Sequence, residues 1–378
     1  MEMRRHGSPR DDAYWVNFVT NLSGSALACY PTSGWTPKSS MQRPRHVIAC
    51  DGAKSEVRKD LGIECEGEDG YETMMTIHFN ADLRPVVKDR VGMLHWITDP
   101  ACSGGLGLNS GIADAHNLVY KITAVHQGWA GDSILDSYDA DRRQIALVNS
   151  AQSVKNGKKI FSFLKALGTA GIDDVEKARD NLHKSIHDPA KQDMIAREVE
   201  SQREHFDNLE IHIGYVYGDK EAPAHASKYT PKFVAGARTP HAWIKPLGAC
   251  FSDDISPLDV SYVKEFTASG VASRQYSTLD LCGMDAFTLL VSRADPWRLK
   301  FEELQAALSR RNIKAQLWVA NVDFEFNDAK QKLLFETSGG FAAGGALLVR
   351  PDQHILQCSS VETTLEELEA VILGHLGL

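Results

Sequence analysis

The sequence predicts an α/β protein, and three observations carry that prediction. A short apolar run, His46-Val47-Ile48-Ala49-Cys50, ends in Asp51-Gly52, which reads as a buried strand delivering a turn into a brief helix over 54–61. From Gly111 the period changes: Ile112, Ala115, Val119, Ile122 and Val125 recur every three or four residues, one apolar face of a helix. Beyond residue 270, strand-like and helix-like segments alternate, the pattern of a small α/β domain.

Each element follows from local chemistry. Residues 1–44 are broken by Pro9, Pro31, Pro37 and Pro44. Proline at that density removes backbone donors, so a poorly ordered leader is expected, with one short strand over 14–22. Further strands are expected at 72–79 and 91–97. Gly128 stands where the helix from 111 needs a C-cap, and Ser133 is read as the cap of a second helix carrying Leu135, Tyr138 and Ile145. Residues 151–215 are rich in Lys, Asp and Glu and read as mostly helical, and 217–262 read as loops. A buried strand at 287–291, an amphipathic helix at 300–311, strands at 316–322 and 346–349 and a closing helix at 363–378 complete the chain. The expected domains are the leader at 1–44, a part at 45–216, a loop-rich connector at 217–270 and an α/β domain at 271–378.

Composition narrows the function. The chain has 378 residues, 43% of them hydrophobic, with 50 acidic against 41 basic side chains and a formal net charge of −9. An acidic surface repels phosphate backbones, which argues against nucleic-acid binding. No apolar run is long enough to span a bilayer, and the charged start lacks the apolar segment of a signal peptide, so a cytoplasmic protein is expected. The seven cysteines contain no CxxC pair, which fits reduced thiols and offers neither a disulfide framework nor a zinc site.

Two constellations carry chemistry. Asp51-Gly52-Ala53-Lys54-Ser55-Glu56-Val57-Arg58 sets a carboxylate at a strand end, with a helix start and a basic side chain close behind. Ser103-Gly104-Gly105-Leu106-Gly107-Leu108-Asn109-Ser110-Gly111 leads into a helix carrying Asp114-Ala115-His116-Asn117-Leu118. Its glycines let the backbone approach a planar ligand, and the helix start that follows presents free N–H groups and partial positive charge to an electron-rich group. Either pattern alone is common in strand–turn–helix segments.

Their order, followed by Leu135-Asp136-Ser137-Tyr138, Arg142-Arg143, the segment 236–243 and Gly345-Ala346-Leu347-Leu348-Val349-Arg350-Pro351-Asp352, resembles class A FAD-dependent aromatic-ring monooxygenases. The phenol and 2,4-dichlorophenol hydroxylase branch is the most similar. The resemblance implies a remnant of the FAD-binding monooxygenase fold, with a parallel sheet, helices and a partial substrate-domain sheet, followed by a thioredoxin-like C-terminal domain without a redox dithiol. It further implies FAD as cofactor, NAD(P)H as co-substrate, O2 and a small phenol-like substrate, a role in aromatic or secondary metabolism, and a homodimer among the assemblies open to it. Carried over position by position, Asp51 and Arg58 line the FAD and pyridine-nucleotide side, and Gly105, Gly107, Leu108 and Asn109 lie against the isoalloxazine. No catalytic residue is assigned.

Two departures accompany the resemblance. Residues 1–50 hold no GxGxxG turn between strand and helix, and Leu94-His95-Trp96-Ile97-Thr98-Asp99-Pro100 stands where the family has a strand ending in Gly-Asp. A stretch is therefore expected to be missing between about Pro100 and Ser103, leaving a shortened chain and a second functional reading, a flavin-free relative. Other candidates read as ordinary surface or packing. His183 and His187 lie four apart on a helix but no third metal ligand is evident, so a solvated face is expected. His212 reads as a strand residue facing water, Tyr215 and Tyr217 as packing residues, and Glu366, Glu367 and Glu369 as the exposed side of the last helix.

Overall fold

The computed structural model describes residues 17–20, 26–29, 48–49, 55–64 and 108–378, the last range without 173, 220, 222 and 248–254. Two units divide the chain, Met1–Val86 and Val87–Leu378. The strands expected at 72–79 and 91–97 lie outside the described residues.

In the first unit, β1 (Asn17–Thr20) pairs antiparallel with β2 (Ala26–Cys29), Asn17 opposite Cys29 and Thr20 opposite Ala26. The first strand falls within the expected stretch; its partner was not foreseen. Ile48 and Ala49, the described part of the run read as a strand, belong to no regular element. Helix α1 (Glu56–Asp60) forms where expected, because the Ser55 hydroxyl accepts the Arg58 amide at 3.0 Å and one apolar residue, Val57, is buried.

The second unit opens with α2 (Leu108–Gln127), which ends at Gly128 with φ +78° and the Trp129 amide on the Ala124 carbonyl at 3.0 Å. The helical period is as read, but the buried face differs. Asn117, Tyr120, Lys121, Ala124 and Val125 face inward, whereas Ile112 and Val119 are 60% and 53% exposed. Polar partners described below explain why Asn117 and Lys121 displace the apolar residues from that face. Asp132–Leu135 forms a single 3-10 turn and α3 (Asp136–Ala166) follows. Ser133 therefore lies inside the turn and caps nothing; Asp136 and Asp139 in the first turn of α3 oppose the helix dipole in its place.

The helical stretch continues as α4 (Val175–Ile186), capped by Asp174, α5 (Gln192–Ser201) and α6 (Leu209–Ile213). His212 thus sits on a helix, half-buried, with burial lowering its pKa, and the strand reading fails there. A Leu-Glu-Ile-His-Ile run has strand-like alternation, and five residues are too few for periodicity to separate the two forms.

The C-terminal part contains β3 (Trp243–Pro246), α7 (Ala268–Ala272), β4 (Tyr276–Ser277), β5 (Ala286–Val291), α8 (Trp297–Ser309), β6 (Lys314–Val319), β7 (Phe324–Phe326), α9 (Ala329–Thr337), β8 (Ala346–Val349), β9 (Ile355–Ser359) and α10 (Leu365–Leu376). Strands order as β6-β5-β8-β9 in one sheet, with β5 and β6 parallel and the other pairs antiparallel, and as β4-β3-β7 in a smaller one. A β-α-β unit followed by an antiparallel pair and a closing helix is the expected thioredoxin-like arrangement, and the protein is α/β overall. Thr364 and Glu367 form a reciprocal cap on α10 (Glu367 N to Thr364 Oγ1 3.2 Å, Thr364 N to Glu367 Oε2 2.9 Å), so one of the surface acids has a structural task.

Every residue of β5 and β8 is buried, and alternation sends their side chains into two cores. Phe287, Leu289, Val291 and Leu348 pack with Trp297, Phe301, Leu304 and Leu308 of α8 and Leu368, Ile372 and Leu376 of α10. Tyr120, Ala124 and Val125 of α2 join that same core. Leu290, Leu347 and Val349 face the other way, onto Phe324, Phe335 and Phe341. One end of α2 is thus built into the C-terminal sheet packing. Leu304→Ala should cost about 2–5 kcal/mol, as large-to-small core changes do, measured by urea unfolding; a cost below about 1 kcal/mol would contradict this packing.

Candidate functional site

Leu108 and Asn109 are the first two residues of α2, so the Gly-rich run leads directly into this helix. The first turn contains no acidic side chain to cancel the partial positive charge of its free amides. Such a start fits an electron-rich ring edge, as a flavin would present. Asp51, Gly105 and Gly107 lie outside the described residues. Arg58 is on α1 in the other unit, where its Nη1 donates to the Ile63 carbonyl at 2.9 Å.

Along α2, residues 110, 114, 117 and 121 share one face and form a ladder of polar contacts with α3. Asn149 Nδ2 donates to Ser110 Oγ at 3.0 Å, and Arg142 Nε to Asp114 Oδ1 at 2.8 Å. Asn117 Nδ2 and Lys121 Nζ both donate to Asp141 Oδ2, at 3.1 and 2.9 Å. Directly after β8, Arg350 Nη2 reaches the same Asp141 oxygen at 2.8 Å, while its Nε donates to Asp352 Oδ1 at 3.0 Å. Asn117 Nδ2 closes the circuit on Asp352 Oδ2 at 2.9 Å.

Lys121 and Asp352 have 0% side-chain exposure, and Arg350 and Asp141 only 6% and 12%. Two cations against two carboxylates leave the cluster formally neutral, and each carboxylate accepts several donors. Buried charge is tolerable only under those conditions. Burial alone would raise the Asp352 carboxyl, yet Arg350 and His354 hold it well below the ordinary carboxylate value. Burial likewise opposes Asp141, and Arg350 and Lys121 lower it all the same. For Lys121 burial wins: its pKa is lowered although Asp141 pulls the other way.

Aromatic rings wall the cluster. Tyr217 stacks on His354 with centroids 4.2 Å apart and lies 5.1 Å from the Arg350 guanidinium; Tyr215 takes the Arg142 guanidinium at 5.4 Å. His354 Nδ1 donates to the Asp352 carbonyl at 2.8 Å. Where α10 meets α2, Tyr120 Oη and His375 Nε2 lie 2.9 Å apart, and burial pushes the His375 imidazole down to about 3. Carboxylates held ionised by several donors do not exchange protons near neutral pH, which fits a cluster that positions the helices.

The motifs at 114–118, 135–138, 142–143 and 345–352 contain Asn117, Arg350 and Asp352, but nothing in the sequence joined Asn117, Lys121, Asp141, Arg350, Asp352 and His354 as a set. One signal was present: Arg350-Pro351-Asp352 places two charges immediately behind a wholly apolar strand. Elsewhere, His183 and His187 stack at 4.2 Å, with His187 Nδ1 on the His183 carbonyl at 2.7 Å. Among the described residues no group of three or more His, Cys, Asp or Glu is arranged to hold a metal. A cavity of about 480 Å³ lies between α3 and α5, lined by Phe163, Leu164 and Phe206 and by the charged Glu200, Arg203 and Asp207. No helix among the described residues is long and apolar enough to cross a membrane.

Comparison with known proteins bears on these observations. Residues 36–104 and 100–153 match the family model of the FAD binding domain, in two pieces that meet where the sequence reading expects a missing stretch. A Streptomyces halstedii protein named for polyketide hydroxylation is 25% identical over 351 residues, covering 89% of this chain and 52% of its own length. Tetracenomycin A2 monooxygenase-dioxygenase of Streptomyces glaucescens is 24% identical, covering 85% of this chain and 63% of its own length. That alignment runs over 414 positions, more than this chain's 378 residues, so the relative has stretches without a counterpart here. The chain spans about half to two thirds of the length of these two relatives. Among solved structures, the flavin-dependent monooxygenase PieE in complex with FAD and substrate is similar in fold, with a TM-score of 0.54 at 20% identity over 72% of this chain and 45% of PieE.

The buried cluster predicts acid sensitivity. Asp141 and Asp352 have folded pKa values below their unfolded ones, so their contribution is full above about pH 4 and fades as pH falls through the folded values. His375, lowered to about 3 when folded, adds a second loss: the unfolded chain binds its proton first, so stability drops as pH falls below about 6.5. Thermal melts in steps from about pH 7 to pH 4 should show this decline, and His375→Gln should flatten it by up to about 1.4 kcal/mol per pH unit. An unchanged slope in the variant would contradict the neutral, buried His375. The family match spans the start of α2 and the ladder partners on α3, and the named relatives are oxygenases and hydroxylases: over these residues the chain is similar to FAD-dependent monooxygenases.

Proposed function

We propose that the chain is an FAD-dependent monooxygenase that hydroxylates a phenol-like ring with NAD(P)H and O2. One observation carries this reading: the FAD binding domain match continues from 100 to 153, through the Gly-rich run and α2. The relatives support the substrate class, since they include 2,4-dichlorophenol 6-monooxygenase of Delftia acidovorans, at 23% identity over 83% of this chain.

FAD, when bound, supplies the redox and oxygen-transfer chemistry. By the resemblance, Asp51 and Arg58 are assigned to FAD, and so, independently, are Gly105, Gly107, Leu108 and Asn109, where glycine and a helix start suit an electron-rich ring. The helix dipole there favours negative charge on the ring without moving a proton. The polar ladder below keeps this helix end fixed. The same reading takes 45–216 as the cofactor and substrate part, 217–270 as a connector and 271–378 as a separate C-terminal domain. It also carries a small aromatic substrate, a homodimer and a cytoplasmic location.

A second reading, a flavin-free relative, is favoured by the interruption at 100–104 and by the unmatched stretches in the relatives. Flavin absorbance separates the two. After incubation of the purified chain with excess FAD and removal of free cofactor, about one flavin per chain is expected, followed by phenol-dependent NAD(P)H oxidation. A folded chain that retains no flavin sinks the monooxygenase reading and leaves the second.

A further inference from the structure

Helices are normally fixed by an apolar face, but the first half of α2 has little of one. Ile112 and Val119 are 60% and 53% exposed, and among the described side chains from 110 to 119 the buried one is the polar Asn117. The second half, by contrast, is anchored by Tyr120, Ala124 and Val125 in the C-terminal core. What fixes the first half is polar: Ser110 on Asn149, Asp114 on Arg142, and Asn117 shared between Asp141 and Asp352.

One of these contacts, Asn117 on Asp352, reaches a charge supplied by the far end of the chain, and a second, Asn117 on Asp141, meets Arg350 there through the carboxylate. Asp141 can accept from Asn117, Lys121 and Arg350 at once because Arg350 is itself held in place by Asp352. Without the Asp352 charge, Arg350 and Lys121 would share one carboxylate and leave a net buried cation. Asn117 would also lose the contact tying it to the C-terminal part. Directional bonds of this kind fix the rotation and pitch of a helix, which apolar contact alone leaves loose.

We propose that Arg350 and Asp352 are positioning residues for the first turns of α2, and through them for the helix start that the flavin reading assigns to the cofactor. The C-terminal α/β part, which carries no redox dithiol, thereby fixes that helix. This rests on the flavin reading above, and the test is arranged to tell the two apart.

The experiment compares full-length wild type, Asp352→Asn and Phe335→Ala. Phe335 packs in the opposite core, away from α2, and serves as a control for general destabilisation. Hydrogen exchange is read at amides 112–118 and in β5, and FAD affinity and the spectrum of bound flavin are read in parallel. In Asp352→Asn, exchange at 112–118 should accelerate about tenfold more than in β5, with an FAD Kd weakened by about tenfold and a shifted flavin spectrum. Phe335→Ala should leave that ratio and the spectrum unchanged. Uniform acceleration in Asp352→Asn, unchanged exchange at 112–118, or equal flavin loss in Phe335→Ala would each overturn the proposal. If Asp352→Asn does not fold, Arg350→Lys, which keeps the charge and loses the fork, carries the same comparison. Should wild type take up no FAD, the flavin reading falls on that result, and the exchange ratio alone upholds or overturns the positioning of α2.

Discussion

Arg350 is buried between two carboxylates from different parts of the chain, Asp352 on its own segment and Asp141 on α3, and much else follows from that placement. A guanidinium out of water needs matched charge and full hydrogen bonding, or the desolvation cost is not recovered. Asp352 and Asp141 meet that need, and Asn117 and Lys121 donate to the same carboxylates. In doing so they join α2, α3 and the strand β8 at one point. Removing any member leaves an uncompensated charge or an unpaired donor, so the arrangement favours one docking geometry over others of similar apolar burial.

The apolar core reinforces the same joint. The phenol of Tyr120 meets His375, and the side chains of Ala124 and Val125 enter the layer formed by β5, α8 and α10. Hydrophobic packing supplies most of the free energy there, being roughly proportional to area, but it is not directional. The ion cluster adds the direction. Together they make α2 a rod whose far end is embedded in the C-terminal sheet and whose near end follows the Gly-rich run.

Much of this fold is legible in the sequence. The apolar run Phe287-Thr288-Leu289-Leu290-Val291, the β8 run and the closing helix are local signals, and each forms close to where it is expected. Gly128 ends α2 for the reason that predicts it, a positive φ. Failures have local causes too. Ser133 is a good cap residue, but it was taken up in a 3-10 turn, and 209–213 alternates like a strand while forming a single helical stretch. The inward face of α2 was misjudged because periodicity counts apolar residues, and here Asn117 and Lys121 are buried by partners far away in sequence. Asn117 and Asp352 are 235 positions apart, and Asp141 and Arg350 are 209 apart. No window of sequence contains such a pair. Of the candidate flavin contacts, the sequence placed Arg58 on a brief helix, which forms, but set the next helix from Gly111, whereas it starts at Leu108; the Ser55 cap was not read.

The central claim is that Asp141 and Arg350 couple the helices to the C-terminal sheet, and a double-mutant cycle on this pair tests it most directly. Unfolding free energies of wild type, Asp141→Asn, Arg350→Met and the double variant would be compared in urea at neutral pH. The account predicts that the double variant is less destabilised than the sum of the singles, with an interaction energy of at least about 1 kcal/mol, as residues in one buried network show. Additivity within about 0.5 kcal/mol would mean the two groups act independently, and would contradict it.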